Sequence, residues 1–211
     1  MDKRQPYHHG NLREALIAAA LDLSAAAGPE QVSLREVARR AGVSSAAPFR
    51  HFADRTALMT AVAEEAMRRL GGAVAAAMAG LPADAGPGAR LKAMGRGYLA
   101  WVRDNPAHFR IVAARGAIDF AGSAVLTGHN DALQAMLSGI IAGLPGIDVA
   151  TGRIAARALV YGLARMEVDG HFPSWGIGPA EAEQTALAVL DLFVDGLLAR
   201  AGLRPGSGAG S

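Results

Sequence analysis

Apolar residues recur along this chain three and four positions apart, and no stretch alternates apolar with polar as a strand would, so the pattern predicts an all-helical fold. Leu12, Leu16, Ala19, Ala20 and Leu23 make one stripe over residues 11–27, with Asn11 as its cap and Gly28-Pro29 as its stop. A second stripe, Leu34, Val37, Ala38 and Ala41, comes after Ser33. The Ser33 hydroxyl can cap that helix while Glu36 answers from the third position, a capping box. Gly42 ends it, because glycine takes a left-handed backbone without steric cost. Val43 is expected at a buried corner, and Ser44 opens another short helix that carries Ser45, Ala46, Ala47 and Pro48.

Downstream, Asp54 caps a long helix to about Ala79, with Leu58, Val62, Ala66 and Val74 facing a core. The string PADAGPG at 82–88 is a loop. Further helices are expected over 89–103, 108–115 and 130–142, then from Asp148 or Thr151 to 168, and last from Pro179 to Arg200 or Ala201. Residues 116–128 read ambiguously. The Gly- and Ser-rich tail has no apolar pattern and is expected to be disordered.

A helix, a glycine-bearing turn and a second helix form the helix-turn-helix arrangement, which lays its second helix in the DNA major groove. A helical hairpin used only for packing is the competing reading. The residues after the turn favour the first. Phe49-Arg50-His51-Phe52, then Asp54, Arg55 and Leu58, together with the opening string YHHGNLREAL, make residues 7–62 resemble the N-terminal domain of TetR-family transcriptional repressors. The resemblance implies an N-terminal three-helix DNA-binding domain over 1–55, including a polar arm. It also implies a helical bundle over 56–201 for effector binding and dimerisation, with a tail at 202–211.

Composition agrees. In 211 residues, 51% are hydrophobic, ample for a core, and cysteine is absent, so disulfide and thiolate chemistry are excluded. The start lacks the apolar centre of a signal peptide, and the apolar run 70–81 is too short to span a bilayer. A cytoplasmic location is therefore expected. Eight Lys/Arg and six Asp/Glu fall in residues 1–55, and the later residues balance, so the whole net charge of +2 lies in the segment expected to meet phosphates.

Lys3 and Arg4 lie on the polar arm, which can track a phosphate backbone or enter the minor groove; a frayed terminus is the plainer account. By resemblance, Arg35 holds the position from which some relatives reach a guanine edge, and an arginine fork matches guanine O6 and N7. Ser33, Ser45, His51 and Arg55 match positions that approach phosphates or bases, and Ser44, Ala46, Ala47, Phe49 and Arg50 complete the expected DNA surface. Two departures stand out. Phe49 replaces the tyrosine of many relatives, so no phenolic bond to phosphate is available, although the ring can still pack. Pro48 removes a backbone donor near the first turn of the recognition helix and can shorten it. With Ala46, Ala47 and Pro48 offering no polar side chain, that helix is expected to read by apolar contact with thymine methyls, leaving polar discrimination to Arg35, Ser45, Arg50 or His51.

In the C-terminal half, YLAWVRDNPAHFRIV and ALVYGLARMEVDGHF resemble a TetR C-terminal type named for a Trp-His-Gly signature, with Val160-Tyr161-Gly162 standing in its place. The family places an effector pocket among these helices. Tyr98, Trp101, Phe109, Tyr161, Arg165 and Met166 are its candidates here, with plain core packing the alternative. Arg153, Arg157, Tyr161 and Arg165 share one helix face. They can hold an acidic effector or pair with Asp191 and Asp195. The last two long helices are apolar around more than one side, and the resemblance implies a dimer through Leu159, Leu163, Leu187, Leu190, Phe193, Val194 and Leu197.

His108, His129 and His171 are far apart in sequence, so neither metal nor cofactor is expected, and no nucleophile elbow or phosphate loop suggests an enzyme. The reading is a ligand-responsive repressor that binds a palindromic operator as a homodimer and is released by a small molecule, with no membrane partner. A helical carrier or enzyme with a purely structural N-terminal motif is the alternative.

Overall fold

The structure is a computed structural model and describes residues 12–204. Lys3, Arg4, the expected cap Asn11 and the tail from residue 205 lie outside the described residues. Among those described the chain is all-helical: α1 (Leu12–Ala27), α2 (Leu34–Arg40), α3 (Arg55–Ala79), α4 (Pro87–Asp104), α5 (Pro106–Ala113), α6 (Ala124–Ala142), α7 (Val149–Val168) and α8 (Pro179–Arg200). Packing divides it into two units. The first takes the described residues to Ala66 together with Ala107–Leu126, and the second takes Met67–Pro106 and the described residues from Thr127 onward.

In the first unit Leu16, Ala19 and Ala20 of α1, Val37 and Ala38 of α2, and Leu58, Met59 and Val62 of α3 are buried, and α1 packs on α2. The helix ends are set by local chemistry. Ser33 Oγ accepts from Glu36 N at 3.2 Å, and Asp54 Oδ1 accepts from Ala57 N at 2.8 Å. Only half of the expected capping box forms, since both Glu36 carboxylate oxygens accept from Arg39 instead. Gly42, at φ 69°, closes α2 as its position in the sequence predicts: its N–H reaches Arg39 O, and Val43 N–H reaches Ala38 O at 3.0 Å. Val43 itself is half-buried rather than sealed at the corner.

The second helix of the motif is not an α-helix. A turn over 45–47 leads into a single 3-10 turn, Pro48–Arg50. Pro48 has no N–H to give the Ser44 carbonyl, and its ring would crowd that oxygen in an α-helix. The Ser44 carbonyl instead accepts from Ala47 N at 3.0 Å.

α6 begins six residues earlier than the sequence pattern suggests. Ser123 caps it, accepting from Leu126 N at 3.1 Å and donating to Glu64 at 2.8 Å. Gly128, the last residue of the ambiguous stretch, sits on the exposed side of the helix with open space around it. Thr60 Oγ1 also accepts from Asp119 N at 2.9 Å, so two side-chain bonds hold the 119–123 segment against α3.

The second unit is built on α4, against which α7 and α8 both pack. Glycine on α4 lets its neighbours close in. A Cβ on Gly95 would lie 2.7 Å from Leu190, and one on Gly97 would lie 2.9 Å from Ala77 Cβ and 3.2 Å from the Ala73 carbonyl oxygen. Charge reinforces the same arrangement. Arg103 bridges Glu167 of α7 at 2.8 Å and Glu183 of α8 at 2.6 Å, while Asp191 takes Arg96 at 2.8 Å and Asp195 takes Lys92 at 2.8 Å.

Two glycine substitutions should therefore move stability in opposite directions. Gly128→Ala adds helix propensity in open space and should raise it by about 0.5–1 kcal/mol. Gly97→Ala forces a methyl against backbone and should lower it by about 1–3 kcal/mol. Urea unfolding of both variants beside the unsubstituted protein checks the contrast.

Candidate nucleic-acid interface

α2 and the turn after it share one face. Ser33, Arg35, Glu36, Arg39, Val43 and Ser45 line a shallow hollow of about 410 Å³. Ser33 stands at the start of α2, Arg35 and Arg39 come one turn apart, and the left-handed Gly42 swings the chain back so that Ser45 joins them. The residue pattern alone did not single out Arg39, though its spacing of four from Arg35 is the signal that could have found it.

Charge on this face is unevenly committed. Arg39 pairs with Glu36, and that hydrogen bond holds the Glu36 carboxyl below its usual range and raises the Arg39 guanidinium. Arg40 pairs with Asp22 of α1 at 3.1 Å. Among the described residues Arg35 and Arg50 have no carboxylate partner, and both are exposed. They are the cations left to answer a phosphate or a base edge.

Beyond the hollow, Ser44, Ala46, Arg50 and His51 are exposed and Ala47 is half-buried. Phe49 is 59% exposed, not packed, while Pro48 beneath it is buried. The 3-10 turn thus presents Phe49 outward and tucks Pro48 and Phe52 inward. Arg13 covers the Phe52 ring at 5.5 Å from its centroid.

Arg55 has a different setting from the rest. Its Nε donates to the Val32 carbonyl at 2.7 Å and a terminal nitrogen donates to the Pro29 carbonyl. The guanidinium, half-buried, ties the first residue of α3 to the segment that leads into α2.

The candidate effector residues are distributed between the units. Phe109 is buried in the first, and Tyr98, Trp101, Tyr161, Arg165 and Met166 belong to the second. Tyr98 and Trp101 are buried, and Tyr161, Arg165 and Met166 half-buried. Arg157 donates to Tyr98 Oη at 3.0 Å and lies 5.6 Å from that ring and 5.1 Å from Tyr161. The suggested pairing of the α7 arginine row with Asp191 and Asp195 does not occur: those carboxylates face α4 and take Lys92 and Arg96, while Arg165 takes Asp169 at 2.7 Å.

Of the residues expected at a dimer face, Leu163, Leu190 and Val194 are buried within the chain, and Leu159, Leu187, Phe193 and Leu197 are half-buried. The exposed large apolar residues of α7 and α8 include Ile154 and Leu192, the second of which lies outside the apolar stripes read from the sequence. Among the described residues no His, Cys, Asp and Glu cluster could hold a metal ion, and no helix is long and apolar enough to cross a membrane.

A capped helix, a left-handed glycine turn and an exposed serine-arginine face define a DNA-binding protein of the helix-turn-helix class. Comparison with known proteins specifies it further. Residues 16–62 match the family model "Bacterial regulatory proteins, tetR family", and residues 91–193 match "Tetracyclin repressor-like, C-terminal domain". The chain belongs to the TetR family of transcriptional regulators. No curated protein matches it. Among solved structures, a protein of unknown function from Rhodococcus sp. RHA1 is 30% identical, with a TM-score of 0.72 over 92% of this chain and 98% of that one. Two others share the fold at lower identity. The TetR family regulator PfmR of Thermus thermophilus is 19% identical, with a TM-score of 0.67 over 86% of this chain and 95% of that one. The ketosteroid transcriptional regulator KstR2 of Mycobacterium tuberculosis is 16% identical, with a TM-score of 0.65 over 91% and 96%.

Burial holds the Tyr98 hydroxyl above the ordinary tyrosine value, partly offset by Arg157. In an alkaline titration monitored at the tyrosinate absorbance band, Tyr98 should ionise above the ordinary tyrosine range, and Tyr98→Phe should remove that late step. The unfolded chain ionises first, so this group withdraws stability as pH rises past about 10.

Proposed function

We propose that this regulator is a ligand-responsive repressor that binds a palindromic operator as a homodimer and leaves it when a small molecule binds. Residues 1–55 would read DNA, 56–201 would hold the effector and the dimer contact, and the protein would work in the cytoplasm without enzymatic activity. The observation that carries the DNA part is the hollow that joins Ser33, Arg35 and Arg39 of α2 to Ser45 of the turn. A recognition element reduced to one 3-10 turn leaves few polar groups of its own, so base discrimination shifts toward Arg35, with Ser45, Arg50 and His51 as partners. Phe49, exposed beside Ala46 and Ala47, suits thymine methyls. Ser33 and Ser44 would meet phosphates, and Lys3 and Arg4 would add contacts from the arm.

Arg55 would act through position, because its donors already hold two backbone carbonyls. In the second unit Tyr98, Trp101, Tyr161, Arg165 and Met166 remain the effector candidates. The exposed sides of α7 and α8 would carry the dimer contact, with Leu159, Leu187, Phe193 and Leu197 at its margin. Two populations of dimer with different recognition-element spacing are all that induction requires, provided the effector prefers one.

Selection of bound DNA from random duplexes at near-physiological salt tests this directly. One inverted repeat, its half-sites about 34 Å apart, is the expected enrichment, and retention without enrichment would remove the operator reading. On the selected site, Arg35→Ala should cost about 1–3 kcal/mol and relax preference at one base pair. Arg55→Gln should lower both affinity and thermal stability yet leave the slope of log affinity against log salt unchanged, whereas loss of a phosphate contact would reduce that slope by about one.

A further inference from the structure

The cations of α4 and α7 fall into two groups. Lys92, Arg96, Arg103 and Arg165 each hold a carboxylate, and Arg90 holds the carbonyls of Ala83 and Ala85. Arg153 and Arg157 hold no carboxylate among the described residues, although they stand one turn apart on the same side of α7. Like charges at that spacing repel. Arg153 Nε is in addition buried without a hydrogen-bond partner among the described residues, which destabilises the chain as it stands.

Arg157, itself exposed, reaches across to α4. Its Nη1 donates to Tyr98 Oη at 3.0 Å, and its guanidinium carbon lies 5.6 Å from the Tyr98 ring centroid and 5.1 Å from that of Tyr161. Rings against the guanidinium leave the N–H edge of the fork open. Tyr98 is 8% exposed, and its hydroxyl, already an acceptor from Arg157, has a proton to give and no acceptor for it among the described residues. The place therefore gathers donors and positive charge and lacks an acceptor. The acids of α7 and α8 that could have answered, Glu167, Glu183, Asp191 and Asp195, are held by α4.

We infer that Arg153, Arg157 and the Tyr98 hydroxyl bind the carboxylate of a small organic acid whose apolar body lies against the tyrosine rings. A planar carboxylate meets a guanidinium edge with two parallel bonds, and aromatic neighbours suit an apolar body. This rests on the ligand-responsive reading proposed above, and it moves the charged anchor away from Arg165, which Asp169 already holds.

Thermal unfolding of the full chain at constant ionic strength tests it, with benzoate and the straight-chain carboxylates from acetate to octanoate, each beside the alcohol of the same skeleton. Carboxylates with the longer bodies should raise the midpoint saturably, and their alcohols should not. Arg157→Gln should weaken that binding at least about tenfold, and so should Tyr98→Phe, which keeps the ring. Arg153→Met should abolish the carboxylate effect yet raise the midpoint of the protein alone by about 2–4 °C, since it removes an unpaired buried donor. No carboxylate exceeding its alcohol would overturn the inference, as would a larger shift from inorganic phosphate than from any carboxylate. Dissociation of a dimer by Arg157→Gln in sedimentation would overturn it too, because a second copy would then supply the counter-charge. A carboxylate that binds but leaves the selected operator occupied keeps this site and removes the ligand-responsive reading. Release of DNA by an uncharged compound, with no carboxylate bound, does the reverse.

Discussion

The exposed face of α2 takes its position from the Arg55 guanidinium. Held half-buried at the start of α3, it donates to the carbonyls of Pro29 and Val32, the last stretch of chain before the Ser33 cap. Hydrogen bonds from a charged donor contribute about 1.5–3 kcal/mol, against about 1 for a neutral pair. They fix where α2 begins, and everything on its outer side takes position from that point: Ser33, then Arg35, then Arg39 a turn later. Apart from them, the segment 29–32 is held by its weak internal bonds, the longest at 3.5 Å, and by the burial of Pro29 and Val32.

At the other end of α2 the same face is completed by two residues with opposite conformational habits. Gly42 permits the left-handed turn, and Pro48 forbids the α-helix that would otherwise form. Between them the chain has only a few residues with which to display Ser44 and Ser45 before Phe49 turns outward. The outcome is a compact, largely apolar turn beside an arginine-bearing helix, the arrangement on which the proposed shift of polar discrimination to α2 rests.

The second unit solves a different problem, the close packing of three long helices. Gly88 and Gly95 give up a side chain on α4 so that Leu198 and Leu190 of α8 can fill the space. Arg103, Lys92 and Arg96 then satisfy carboxylates from α7 and α8. Because Asp191 and Asp195 are taken by α4, the arginines of α7 are left to other partners, and Arg157 settles between two tyrosine rings.

Helix existence was legible from the sequence because it rests on local chemistry: apolar spacing, the caps Ser33, Asp54 and Asp148, and the stops Gly28 and Gly42. The TetR resemblance was equally local, carried by residues 7–62. Residues 116–128 read ambiguously because a glycine such as Gly128, on the open side of a helix, weakens the helical pattern without ending the helix. The Leu163, Leu190 and Val194 row was correctly apolar, but periodicity cannot say which of two apolar faces meets the chain's own core. Charge partners were undetermined for the same reason: Arg55 finding two carbonyls, and Asp191 finding α4, are encounters between residues distant in sequence. The chain by itself determined most of its helices, several of their caps and its DNA-binding class, since each depends on neighbours within a few residues. Tertiary structure alone decided which faces are buried, which cations remain uncommitted and which aromatics stand in solvent, because burial and pairing are properties of what packs against a residue.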